Sequence, residues 1–110
     1  MPHDPERARR IGLNEAMFRE INERLEALAE KQGQIGVLDL VCECGHRDCA
    51  DRIILTPEEY RELRSDPLRF VVLPGHEIPE VEDVVERTRG WLTVRKRAGE
   101  AAAVARATDD

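Results

Sequence analysis

The sequence predicts an α+β fold: a small, mostly antiparallel sheet with short helices, stapled by zinc and preceded by one long amphipathic helix. Three observations carry this prediction. Apolar side chains in the first thirty or so residues recur at helical spacing. From Val37 onward the pattern switches to alternation and short β-branched runs. All three cysteines fall within "CECGHRDC" at 42–49. With 110 residues and only 4% aromatic content, the core rests on Val, Ile, Leu and Ala, and a chain of this size gains from a metal cross-link.

Residues 1–35 read as the helix, 36–97 as the α+β body and 98–110 as an alanine-rich, flexible tail. In the helix, Ile11, Phe18, Ile21, Leu25 and Leu28 recur at steps of seven, three, four and three, a heptad seam with Asn14 as its polar member. Glu15–Arg19 and Glu20–Arg24 are i,i+4 pairs in the favourable order. Asp4-Pro5 supplies a cap and a first-position proline, and Gly33 an end. Gly12 costs about 1 kcal/mol inside a helix, so Asn14 is an alternative start. At full length the helix runs about 40 Å, more than the remaining body covers easily. One of its faces can pack on the body, or part of the seam can pair with a second copy or a partner helix as in a coiled coil. The five seam residues are therefore candidate partner-binding residues.

In the body, "VLDLVCEC", "DRIIL", "RFVVL" and "GWLTVRKR" read as strands. Thr56-Pro57-Glu58-Glu59 opens a helix with a capping box, and that helix stops before Pro67. "IPEVEDVVERTRG" reads as a second short helix ended by Gly90, and the tail as one or two frayed turns.

The net charge of −6 is spread over all three segments, each with an acid excess. "RARR" at 7–10 and "RKR" at 95–97 are the only basic clusters, and they read as a solvated face or a strand end. This balance argues against nucleic acid, which calls for a basic patch. No window approaches the ~20 apolar residues of a membrane span, and "MPHDPERARR" lacks an apolar signal region. The expected location is the cytoplasm, where thiols stay reduced and clustered cysteines favour metal or redox chemistry over disulfides.

In a strand, residues two apart share a face, so Cys42 and Cys44 present both sulfurs on one side and Glu43 points to the other. Gly45 lets the chain turn and Cys49 returns four residues later. Three thiolates suit zinc, and a histidine would complete its tetrahedron. An iron–sulfur cluster usually needs four cysteines. C-x-C-x₄-C is less specific than the paired C-x₂-C knuckles of zinc ribbons, and three small buried hydrophobes are the plain alternative. Two histidines compete as fourth ligand. His46 is local but packs four ligands into eight residues. His76 follows a strand and a Pro74-Gly75 turn, and from there would tie two distant segments together, where a metal constrains the chain most. That favours His76, with His46 as the alternative. His3 sits on a loose terminus and is set aside.

"NEAMFREINERLEAL", "CECG…C", "RIILTPEEYRELRSDPLRFVVLPGHE" and "VVERTRGWLTVRKR" together resemble a family of short uncharacterised actinobacterial proteins with the order helix, CEC-x₄-C cluster, LTPxEY helix and strand into PGHE. The resemblance spans roughly residues 14–97. It implies that Cys42, Cys44, Cys49 and His76 occupy the signature positions and that His46 does not. No activity comes with it.

The expected function is that of a non-catalytic, zinc-binding regulatory or adaptor protein acting through protein–protein contacts of its N-terminal helix. A Cys₃His set leaves zinc no position for water, "HE" at 76–77 lacks the second histidine of H-E-x-x-H, and the deaminase signature is absent. The alternative is a zinc–thiol redox sensor that releases metal on oxidation.

Overall fold

A computed structural model gives the structure of residues 4–33 and 36–109, so His3 lies outside the described residues. Helix α1, Pro5–Lys31, runs unbroken for 27 residues. Asp4 starts it: its Oδ1 accepts from the backbone N–H groups of Glu6 and Arg7 at 3.1 and 3.2 Å. At ~1.5 Å per residue α1 is about 40 Å long, close to the molecule's longest dimension of 47 Å.

Strands β1 (Leu38–Val41) and β2 (Arg52–Leu55) form an antiparallel pair. Helix α2, Pro57–Leu63, carries the expected capping box: Thr56 Oγ1 accepts from the Glu59 N–H, and Glu59 Oε1 accepts from the Thr56 N–H. Strands β3 (Arg69–Val72), β4 (Glu82–Arg87) and β5 (Leu92–Lys96) form a second antiparallel sheet in the order β3-β5-β4. Helix α3, Glu100–Ala107, closes the fold. The class is α+β, with two small antiparallel sheets.

Three details differ from the sequence reading. Residues 82–87 form β4, not a helix. The register on β5 slips between Val84 and Glu86, and Val85 turns outward to 51% exposure. This bulge breaks the two-residue alternation and leaves Val81, Val84 and Val85 at a spacing that mimics a helix.

The tail is not a frayed end: 100–107 form α3, with Ala101, Ala102 and Ala105 buried. A Cβ added at Gly12 would lie 3.0 Å from the Ala101 Cα and 3.1 Å from the Val104 Cβ. Gly12 therefore stays inside α1 because α3 approaches there too closely for a side chain.

The heptad seam is the third correction. Ile11 and Phe18 are buried at 5% and 8% exposure and are unavailable to a partner, while Leu25 packs partly buried against the core. Ile21 and Leu28 are exposed. The buried face of α1 instead runs through Ala8, Ile11, Glu15, Phe18, Asn22 and Ala29, with Gly12 and Arg19 beside it. Arg19 donates to the Pro67 and Ala105 carbonyls at 2.7 and 2.8 Å and to Thr108 Oγ1 at 2.9 Å, with its guanidinium 4.8 Å above the Phe70 ring. A buried cation thus satisfies a carbonyl at the C-terminal end of α3, where helix carbonyls lack partners.

Candidate metal centre

The cluster sits where the chain passes from one sheet to the other. Asn22 of α1 fixes the approach: its Oδ1 accepts from the Val41 N–H and its Nδ2 donates to the Val41 carbonyl, both at 2.8 Å. The Cys42 N–H donates to Asp51 O at 2.8 Å, prolonging the β1–β2 ladder by one step. The next N–H, of Glu43, donates to Val71 O on β3 at 2.8 Å. Alternation across this junction turns Glu43 inward, fully buried, between the buried Cys42 and Cys44. Its carboxylate accepts from Tyr60 Oη at 2.7 Å, Asn22 Nδ2 at 2.9 Å and the Val71 N–H at 3.0 Å.

Gly45 then turns the chain beneath α1. A Cβ there would meet Ile11 Cγ2 at 2.5 Å and Ile78 Cδ1 at 2.9 Å, so only glycine fits. The Cys49 N–H donates to His46 O at 3.0 Å and closes the turn that brings Cys49 back. His76 arrives on a second tight turn, Leu73-Pro74-Gly75-His76, whose His76 N–H donates to Leu73 O at 3.0 Å. Proline followed by a glycine at φ 90° meets the demands of a type II turn.

These turns gather Cys42, Cys44, Cys49 and His76 so that one donor atom from each lies within 4.8 Å of the others, a group that could bind a metal ion. His76 Nδ1 is 3.6 Å from Cys42 Sγ and 3.5 Å from Cys49 Sγ. His46 stands apart: it is exposed, and its ring is perpendicular to that of His76 at a centroid distance of 5.9 Å. Asp51 Oδ2 lies 3.6 Å from His76 Nε2, the ring nitrogen that does not face Cys42, and 4.0 Å from Cys49 Sγ. Carboxylates commonly orient metal-bound histidines from that position. Asp51 was not legible from spacing alone, because it gains the role only through the β1–β2 pairing. Glu77, the neighbour in sequence, accepts from the Gly75 N–H at 2.7 Å instead.

The site is also prepared electrostatically. The Leu73 N–H donates to Cys42 Sγ at 3.2 Å. Cys44 is held down to about 4, chiefly by the hydrogen bond from Cys42 and then by those from His76 and the His46 backbone, against the opposing effect of burial. Its hydrogen bond to Cys44 and its burial push the Cys42 thiol up, and burial raises Cys49. Metal ligation requires thiolates, so binding would displace the thiol protons that remain.

No helix among the described residues is long and apolar enough to cross a membrane. No protein-family model matches the chain, and no curated protein or solved structure matches it.

Proposed function

We propose that the four donors hold a structural zinc ion in a non-catalytic cytoplasmic protein that acts through protein–protein contacts of α1. The convergence of three thiols and one imidazole, from the extension of β1 and two separate turns, carries this reading. Bonds of ~2.3 Å to sulfur and ~2.0 Å to nitrogen give a tetrahedron whose N···S edges are about 3.5 Å. The two His76–cysteine separations, 3.5 and 3.6 Å, fit those edges. Zinc would supply a cross-link between the β1–β2 hairpin and the turn after β3. With every position taken by a protein donor, no place is left for a reacting water, which supports a non-catalytic role.

The proposed contact surface is the solvent side of α1. Leu13, Met17, Ile21 and Leu28 are 40–50% exposed and fall on one stripe. Ile21 and Leu28 belong to the heptad seam; Leu13 and Met17 take the place of the buried Ile11 and Phe18.

Native mass spectrometry of wild type beside His76→Ala and His46→Ala tests the reading. The expected result is one zinc per chain in wild type and His46→Ala, with loss or weakening in His76→Ala. The mass also reports whether a second copy is bound. A metal-free wild type, purified without chelator, would sink it. Fast zinc release by mild peroxide would shift the reading to a thiol sensor, with the partly exposed Cys49 as the accessible thiol.

A further inference from the structure

A groove of about 470 Å³ runs beside the cluster loop, between the first turns of α1 and residues 45–47. We propose that it binds a small phosphate monoester with an apolar body. The proposal rests on the groove and does not depend on which metal the cluster holds.

Its charge is unusual for this molecule. The chain carries an acid excess of six, and most of its arginines are held by carboxylates or carbonyls. Arg7, at one end of the groove, is itself engaged by Glu80 through contacts of 2.8–3.1 Å. Arg10 on the α1 wall and Arg47 on the loop wall differ: both are exposed, and neither guanidinium has an acceptor among the described residues. His46, left outside the thiol cluster, lies beside Arg47 on the same wall. Two unpaired guanidinium forks lining one cleft suit an anion that offers several oxygens, and phosphate does so better than a single carboxylate.

The floor specifies the rest of the ligand. Ile11 and Ile78 form an apolar base at 5% and 7% exposure, and both pack against Gly45 where a side chain would otherwise stand. Asn14 Nδ2 donates to Gly45 O at 3.2 Å and ties the two walls together. The volume falls within the roughly 300–1,000 Å³ of small-molecule sites. A long polyanion is disfavoured, because exposed carboxylates at Glu6, Asp48 and Glu80 flank the groove residues in sequence and would repel its continuing backbone. A compact phosphate avoids them.

The test is calorimetric titration of the full chain, with metal content measured on the same sample, using phenyl phosphate, inorganic phosphate, benzoate and a single-stranded oligonucleotide as probes. The expected result is one site per chain that prefers phenyl phosphate to inorganic phosphate and benzoate. Affinity should fall about tenfold or more in Arg10→Ala and in Arg47→Ala, as for loss of a charge-assisted hydrogen bond. It should be unchanged in Arg9→Ala, an exposed neighbour outside the groove. Both groove arginines are exposed, so the variants should keep their fold and their metal content. Absence of saturable binding at millimolar phenyl phosphate would overturn the proposal, as would equal affinity in the two groove variants. Benzoate binding as tightly would also overturn it, and so would an oligonucleotide that binds with steep salt dependence while phenyl phosphate does not.

Discussion

Two buried carboxylates, Glu43 and Glu15, show two different ways of keeping an acid out of water. Glu43 faces three donors, and both of its oxygens are bonded: Oε1 to the Val71 N–H, and Oε2 to Tyr60 and Asn22. Glu15, fully buried on α1, shares the ammonium of Lys96 with Glu82, and its Oε1 has no partner. Glu82 is better served, because its Oε2 also accepts from the Ile78 N–H at 2.8 Å. The first site is a fixed acceptor that ties α1, α2 and β3 to the cluster junction. The second holds two carboxylates against one cation, in a place where an unpaired charge is costly.

The largest effect should come from removing that cation. Lys96 is fully buried, 5.3 Å from the Phe70 ring, and burial lowers its pKa against the pull of Glu15. Lys96→Met would preserve its length while leaving Glu15 and Glu82 facing each other. We expect a loss of about 4 kcal/mol at neutral pH, the usual scale for breaking one side of a buried pair, read by urea denaturation. A loss below about 1 kcal/mol would mean that the two acids already share a proton and that Lys96 contributes mainly packing.

Glu43→Gln comes next. The shapes match, but one acceptor oxygen becomes an NH₂ group facing donors. Either the Tyr60 hydroxyl and Asn22 amide are left without their acceptor, or the Val71 N–H is. The expected loss is about 3 kcal/mol, combining a lost charge-assisted bond with an unsatisfied buried donor. Because Glu43 sits between Cys42 and Cys44, metal retention at the cluster should weaken alongside stability. A variant as stable as wild type would show that the Glu43 site is not the fixed acceptor described above.

Neither network was legible in the sequence, and the reason is physical. Polar residues default to the surface in any periodicity argument: Glu15 and Arg19 read only as an i,i+4 pair and Asn22 carries no signal, although all three line the buried face of α1. What makes their burial tolerable is a set of partners 19 to 89 positions away, and spacing carries no trace of those. The cluster was legible because its information is local: C-x-C alternation, a glycine and a Pro-Gly turn dictate where side chains point before the fold is known. The capping box of α2 was readable for the same reason. β4 was obscured by its bulge, and α3 by a buried face made only of alanines, whose value lies in the close approach at Gly12. Arg10 reads as part of a solvated face, and nothing in the sequence relates it to Arg47 until the fold places both along one groove.

The smallest change tests the contrast directly. Glu15 is raised to about 7, first by burial, which the attraction of Lys96 only partly offsets. A carboxyl raised in the folded state binds a proton more tightly there than in the unfolded chain, whose value is near 4.5. Its contribution is therefore fully present below about pH 4.5 and is lost as pH rises towards 7, a decline of about 3 kcal/mol across that window. Glu15→Gln removes this titration and the repulsion with Glu82, and it keeps an oxygen for Lys96. At pH 7 it should lie within about 1 kcal/mol of wild type, in contrast to Glu43→Gln. The check is denaturation of both proteins at several pH values between 5 and 7.5. Thiol and histidine titrations common to the two cancel in the difference, and the wild type alone should lose stability relative to Glu15→Gln as pH rises. Parallel curves would mean that Glu15 stays ionised throughout and that Lys96 balances it fully.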